Sequence, residues 1–135
     1  MINSGEESVH SRDASNVTAL HWASINGHVE VVDYLLSLGA EVDAIGGELQ
    51  STPLLWAVRF QKDGNLGAMV SLVKAGANIY ATDSQSYNAL LLCAQLGHTM
   101  KVLYLLSLGL NVHLADKNGA TALMWAVYKG VSEDV

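Results

Sequence analysis

The amino-acid sequence predicts an all-α solenoid of stacked helix pairs, three full repeats followed by a truncated fourth. The first observation behind this is a phrase stated four times. It reads Thr18-Ala19-Leu20-His21-Trp22-Ala23, Thr52-Pro53-Leu54-Leu55-Trp56-Ala57, Asn88-Ala89-Leu90-Leu91-Leu92-Cys93 and Thr121-Ala122-Leu123-Met124-Trp125-Ala126, with starts 34, 36 and 33 residues apart. A period in the thirties marks a repeat architecture. The second is an apolar run at helical spacing that closes on glycine in each of the first three units. The third is a short polar turn between units.

Residues 1–12 read as a loose leader, and the repeat domain covers 13–135, divided at about 13–45, 46–81, 82–114 and a partial 115–135. In the first unit Leu20, Ala23 and Ser24 share one helical face, and Gly27 supplies the C-terminal cap. A second helix follows over 29–38, where Val31, Val32, Leu35 and Leu36 recur at helical spacing. Counted back from the closing glycine, Val32, Leu35 and Leu36 correspond to Met69, Leu72 and Val73 and to Val102, Leu105 and Leu106. The linking turns are polar, and Asn118-Gly119 is the strongest local turn signal because both residues tolerate positive φ. This alternation of turn, helix, turn, helix, with Thr52-Pro53-Leu54, Gly-His at 27–28 and 97–98 and Gly-Ala after the second helix, resembles the ankyrin repeat.

Two departures stand out. The first inter-repeat loop carries an extra residue around Gly46-Gly47, and three residues are inserted within 58–63, which predicts a longer or bulged end to the second inner helix. Such insertions gather on one face of a solenoid, often the binding face; a tolerated surface insertion is the alternative.

Several function classes are excluded by composition. Half the residues are apolar, the net charge is −6 and the seven Lys and Arg residues are scattered singly, which argues against nucleic acid or an anionic membrane surface. A single cysteine rules out an internal disulfide and fits a reducing, cytosolic setting. No apolar run is long enough to insert in a membrane. The chain has no phosphate loop, nucleophile elbow or Cys-x-x-Cys, and no two of its histidines stand three or four apart on one helix. The sequence therefore predicts no catalysis of its own, no cofactor and no metal. His21 is expected to bond neighbouring backbone, and Cys93, in a slot otherwise held by alanine, to be a buried, inert thiol.

Binding is the function left. Trp22 lies about 200° around its helix from the core residue Leu20, so it points toward the groove lined by the inner helices. Asn26 is placed on the same face, four residues on. Trp56, Leu92 and Trp125 hold the same slot in turn, which predicts a ladder along the groove. Amphipathic rings on a rigid frame suit a peptide-binding surface. Packing between repeats is the competing reading, open for Trp22 and Trp56 and favoured for Trp125.

A narrower resemblance rests on longer stretches. Residues 43–57, from Asp43 through Gly46-Gly47 to Ser51-Thr52-Pro53 and Trp56-Ala57, resemble a repeat junction of ankyrin-repeat palmitoyltransferases, the Asp-His-His-Cys acyltransferases of the huntingtin-interacting and fungal Akr types. Residues 92–99 and 116–128 are similar to their following repeats. The resemblance implies an array on the cytosolic face of Golgi or endosomal membranes that recruits proteins for S-acylation, often through extended Gln-Pro-containing segments. It also implies that Asn26 and Trp56 contact the peptide, while the acyltransferase centre belongs to a longer parent; Trp22 is a further candidate from its position on the groove alone. A stand-alone ankyrin adaptor with protein partners is the alternative.

The sequence ends within the fourth unit, after an inner helix expected over 122–128, and Leu123, Trp125 and Val127 make a poor polar cap. The chain alone is therefore expected to be a monomer that frays or associates end to end at this unit. Amide hydrogen exchange should be faster over 121–130 than over the second repeat; equal protection in a monomer would count against it.

Overall fold

The computed structural model describes residues 9–134, and the side chains of residues 9–129. Among the described residues from 11 onward seven helices follow in order: α1 (Ala19–Ile25), α2 (Val29–Ser37), α3 (Pro53–Val58), α4 (Gly67–Lys74), α5 (Ala89–Gln95), α6 (Thr99–Ser107) and α7 (Ala122–Asp134). Among the described residues the only extended pairing is three isolated antiparallel bridges, Arg12–Thr18, Gly46–Ser51 and Ala115–Thr121, each closing a loop that leads into an inner helix. The fold is thus the all-α repeat solenoid expected. Each of the first three inner helices packs on the outer helix that follows it, and the inner helices α1, α3, α5 and α7 stack in chain order.

The repeated phrase explains the inner helices. Its first residue is the N-cap: Thr18, Thr52 and Asn88 sit in extended backbone and accept a hydrogen bond from the amide three residues on. Its leucine forms the core, with Leu20, Leu54 and Leu90 almost fully buried in one cluster with Val32, Met69, Leu72 and Leu105. The outer-helix register is as expected, except that Val31 is exposed. His21 closes the first cap. Its Nδ1 accepts from the Thr18 amide (3.2 Å), which leaves Nε2 to donate to the Ser51 carbonyl (2.9 Å) across the repeat boundary.

Three expectations need correction. The leader is not loose over its last residues: Val9 is buried in the core, and Arg12 donates to the Asn16 and Ile45 carbonyls and pairs with Glu41 (3.5 Å). Residues 1–8 lie outside the described residues. The insertion does not lengthen the second inner helix, which ends at Val58, the shortest of the seven; the extra residues form a loop over 59–66. Nor does α7 stop near Tyr128; it continues through Gly130 to Asp134, because this glycine is in helix where Gly27 and Gly97 turn the chain at positive φ.

The loop over 59–66 is anchored on both sides. The Phe60 ring lies against Gly27, so close that a β-carbon on Gly27 would come within 2.4 Å of it. On the other side both carboxylate oxygens of Asp63 accept from the first turn of α6, at Met100 N (3.0 Å) and Lys101 N (3.1 Å). The His98 N-cap makes no side-chain cap bond, so Asp63 caps α6 from the preceding repeat. Fully buried Lys101 donates to the Val58 and Phe60 carbonyls and lies 3.0 Å from His98 Nδ1; burial pulls its ammonium down to about 8.

Burial also holds the His21 and His98 imidazoles below their ordinary value. Their folded pKa values lie under the unfolded one, near 6.5, so the unfolded chain takes up protons first as pH falls. Stability contributed by the neutral rings is complete above about pH 6.5 and declines below it. The urea midpoint should therefore drop between pH 7.5 and 5.5, above the range where carboxylates titrate, and a His21→Gln variant should show a shallower decline.

Candidate functional site

The sequence places tryptophan at the groove, and the structure brings two of the three together. Trp22 on α1 is half exposed, and Trp56 on α3 sits beside it, ring centroids 5.2 Å apart and edge to face. The His21 ring also packs against Trp56, at 5.1 Å. Edge-to-face contact aligns a positive ring edge with a negative ring face, so the rings hold each other's orientation. They form one wall of a cleft of about 320 Å³, where Ile25 and Arg59 join them; the loop from Gly46 to Leu49, with Ser15, Val17 and Ser51, lines the rest.

Gly46 and Gly47 allow that loop to close on the rings. A β-carbon on Gly46 would lie 2.3 Å from the Asn16 carbonyl oxygen. Gly47 has φ +82°, and a β-carbon there would lie 3.1 Å from the Trp56 ring. The Gly47 amide donates to the Ser15 carbonyl (3.0 Å), tying adjacent loops together through backbone alone.

Asn26 is placed differently from Trp22 and Trp56. It is the C-cap of α1, is exposed, and its side-chain amide donates to the Trp22 carbonyl (2.8 Å). It stands beside the cleft rather than among the residues that line it; the neighbouring Ile25 lines it instead. The ladder is also interrupted. Leu92 is only 2% exposed, and Trp125 is remote from the other two rings, packed edge to face with Tyr128 at 6.0 Å. Leu92 is core, and the two-ring cleft is the part of the ladder open to a ligand.

The indole donors are not equivalent. Trp22 Nε1 donates to Asp13 (3.3 Å) and Trp125 Nε1 to Asp116 (3.2 Å). Each carboxylate is held below the usual range mainly by a backbone amide, that of Val17 for Asp13 and that of Ala120 for Asp116, so both acceptors are ionised near neutrality. Cys93 is fully buried and its thiol is pushed up to about 12 by burial, which keeps it protonated and unreactive. Among the described residues no cluster of His, Cys, Asp and Glu could hold a metal, and no helix is long and apolar enough to cross a membrane.

Arg59 and the glycine loop were missed as cleft residues in the sequence reading. The loop was visible there as an extra residue at Gly46-Gly47, but its closure over Trp56 follows from three-dimensional contacts.

A family model for ankyrin repeats matches residues 1–83 and 54–135. The chain is 40% identical over 121 residues to a putative palmitoyltransferase ZDHHC13 of Danio rerio, covering 90% of this chain and 18% of that protein. It is 41% identical over 127 residues to palmitoyltransferase AKR1 of Lachancea kluyveri (91% and 17%) and 46% identical over 126 residues to palmitoyltransferase ZDHHC17 of Rattus norvegicus (93% and 20%). The chain thus spans about a fifth of the length of these curated relatives. Gly47→Ala should destabilise the fold by about 1–2 kcal/mol through its positive φ and the ring contact, and should shift tryptophan fluorescence because Trp56 must move. An unchanged melting temperature and spectrum would show that the loop does not need glycine there.

Proposed function

Because this chain belongs to the ankyrin-repeat family of protein-interaction modules, we propose that it docks extended peptide segments in the Trp22–Trp56 cleft, and so recruits protein substrates for S-palmitoylation by a longer, membrane-bound acyltransferase. The observation that carries this reading is the pair of tryptophan rings, 5.2 Å apart, walling an open and largely apolar cleft beneath a glycine loop. A proline or aliphatic side chain gains contact area against such rings without ordering flexible protein groups, since both walls are already fixed. Asn26, on the rim, contributes its amide to the backbone of a segment leaving the cleft.

Palmitoyltransferase relatives from a fish, a yeast and a rat support the second half of the proposal. In it, acyl transfer belongs to the parent protein, this array supplies recognition, and the site of action is the cytosolic face of Golgi or endosomal membranes. Recognition by an array of this kind needs no cofactor: apolar contact and hydrogen bonds to the peptide suffice.

Trp56→Ala should weaken binding of an extended Gln-Pro-containing peptide by about 1–3 kcal/mol, the scale of an aromatic hot spot, with a smaller effect on folding. Calorimetry paired with urea unfolding separates the two. Unchanged affinity with a large loss of stability would reduce the tryptophan pair to packing.

A further inference from the structure

The four copies of the repeat differ in one pairing. Five residues before each inner-helix cap stand Asp13, Gly47, Asp83 and Asp116. In the first and last copies this aspartate spends one oxygen on the turn amides and the other on the indole N–H of its own repeat. The third copy has the carboxylate without the indole: leucine fills the tryptophan slot, and Asp83 Oδ2 is buried with no hydrogen-bond partner. The second copy has the indole without the carboxylate. Glycine replaces the aspartate, and Trp56 Nε1 donates to nothing among the described residues.

One helical turn after Trp56 stands Arg59, half-buried at the cleft, with its guanidinium in no ion pair or hydrogen bond among the described residues. The cleft's own acid, Glu48, is exposed and does not pair with it. Two residues that line the cleft therefore carry unspent donors, one of them cationic, beside an apolar wall. Asp13 and Asp116 show which acceptor an indole in this slot takes.

We propose that a carboxylate side chain of the docked segment takes the place that Asp13 and Asp116 hold in their repeats, accepting from Trp56 Nε1 and the Arg59 guanidinium, so that the cleft selects extended peptides bearing Asp or Glu beside their apolar anchor. The inference rests on the docking reading above. A guanidinium fork and an N–H donor suit the two oxygens of a carboxylate, and charge-assisted bonds are stronger than those to a neutral amide. The net charge of −6 disfavours acidic peptides in general, so a preference for them must arise locally.

The test uses blocked peptides with a shared Val-Ala-Gln-Pro-Ala core and Glu placed before it, after it, or replaced by Gln at both positions. Calorimetry at low salt should give at least one Glu peptide about tenfold tighter binding than the Gln control, as expected of a charge-assisted bond. Arg59→Gln should bring that peptide to the control's affinity. Trp56→Phe keeps a ring but removes the N–H, and should shrink the preference while the control still binds. Equal binding of Glu and Gln peptides to the unmodified chain would overturn the inference and leave docking standing, as would a preference that survives both variants. Failure of every peptide to bind would overturn the docking reading and this inference with it.

Discussion

An inner helix of six or seven residues cannot stand alone, and this constraint governs the molecule. Helices shorter than ~12–15 residues are marginal in water, because nucleation costs more than so few hydrogen bonds return. Each of α1, α3 and α5 is held by a buried leucine and by a side-chain cap at the residue that precedes it. A fully buried leucine contributes on the order of 2 kcal/mol, and Leu20, Leu54 and Leu90 recur in one continuous cluster. Positions facing that cluster admit little change. The slot two residues later stands at the rim of the stack in the first two copies, and there the repeat presents an open, largely apolar wall.

The rim is built from small differences among near-identical copies. Where a copy retains its turn aspartate and tryptophan, the two satisfy each other and the ring is held from its own loop. Where one is replaced, the remaining group looks elsewhere for a partner. Gly46 and Gly47 produce two such effects at once: they remove an acceptor, and they let the loop approach the ring that lost it. The open cleft is thereby confined to one junction, although all four copies carry the same phrase.

The fold was legible in the sequence because repetition multiplies a weak local signal. A single run such as Val32, Leu35 and Leu36 is ambiguous, but three copies in one register are not, and burial follows that register. Trp22 and Trp56 were legible for the same reason, since their slot follows from angular position relative to Leu20. Leu92 and Trp125 depart from the ladder because angular position says nothing about what covers a side chain. Arg59 and Lys101 were illegible for a different reason. Both stand among cations scattered singly along the sequence; Arg59 lines a cleft that the neighbouring repeat completes, and Lys101 is held by carbonyls of Val58 and Phe60 more than forty residues earlier.

The inserted loop also alters how the units of the array communicate. In a simple solenoid each unit senses only its immediate neighbours, and one end can melt while the other persists. Here Phe60 rests on Gly27 of the first repeat, while Asp63 and the carbonyls that receive Lys101 grip the third. A loop belonging to the second repeat thus touches the first and the third. Lifting it would remove contacts at the end of α1 and at the start of α6 together. The insertion thus reinforces both interfaces of the second repeat, and one of them is the junction that carries the cleft.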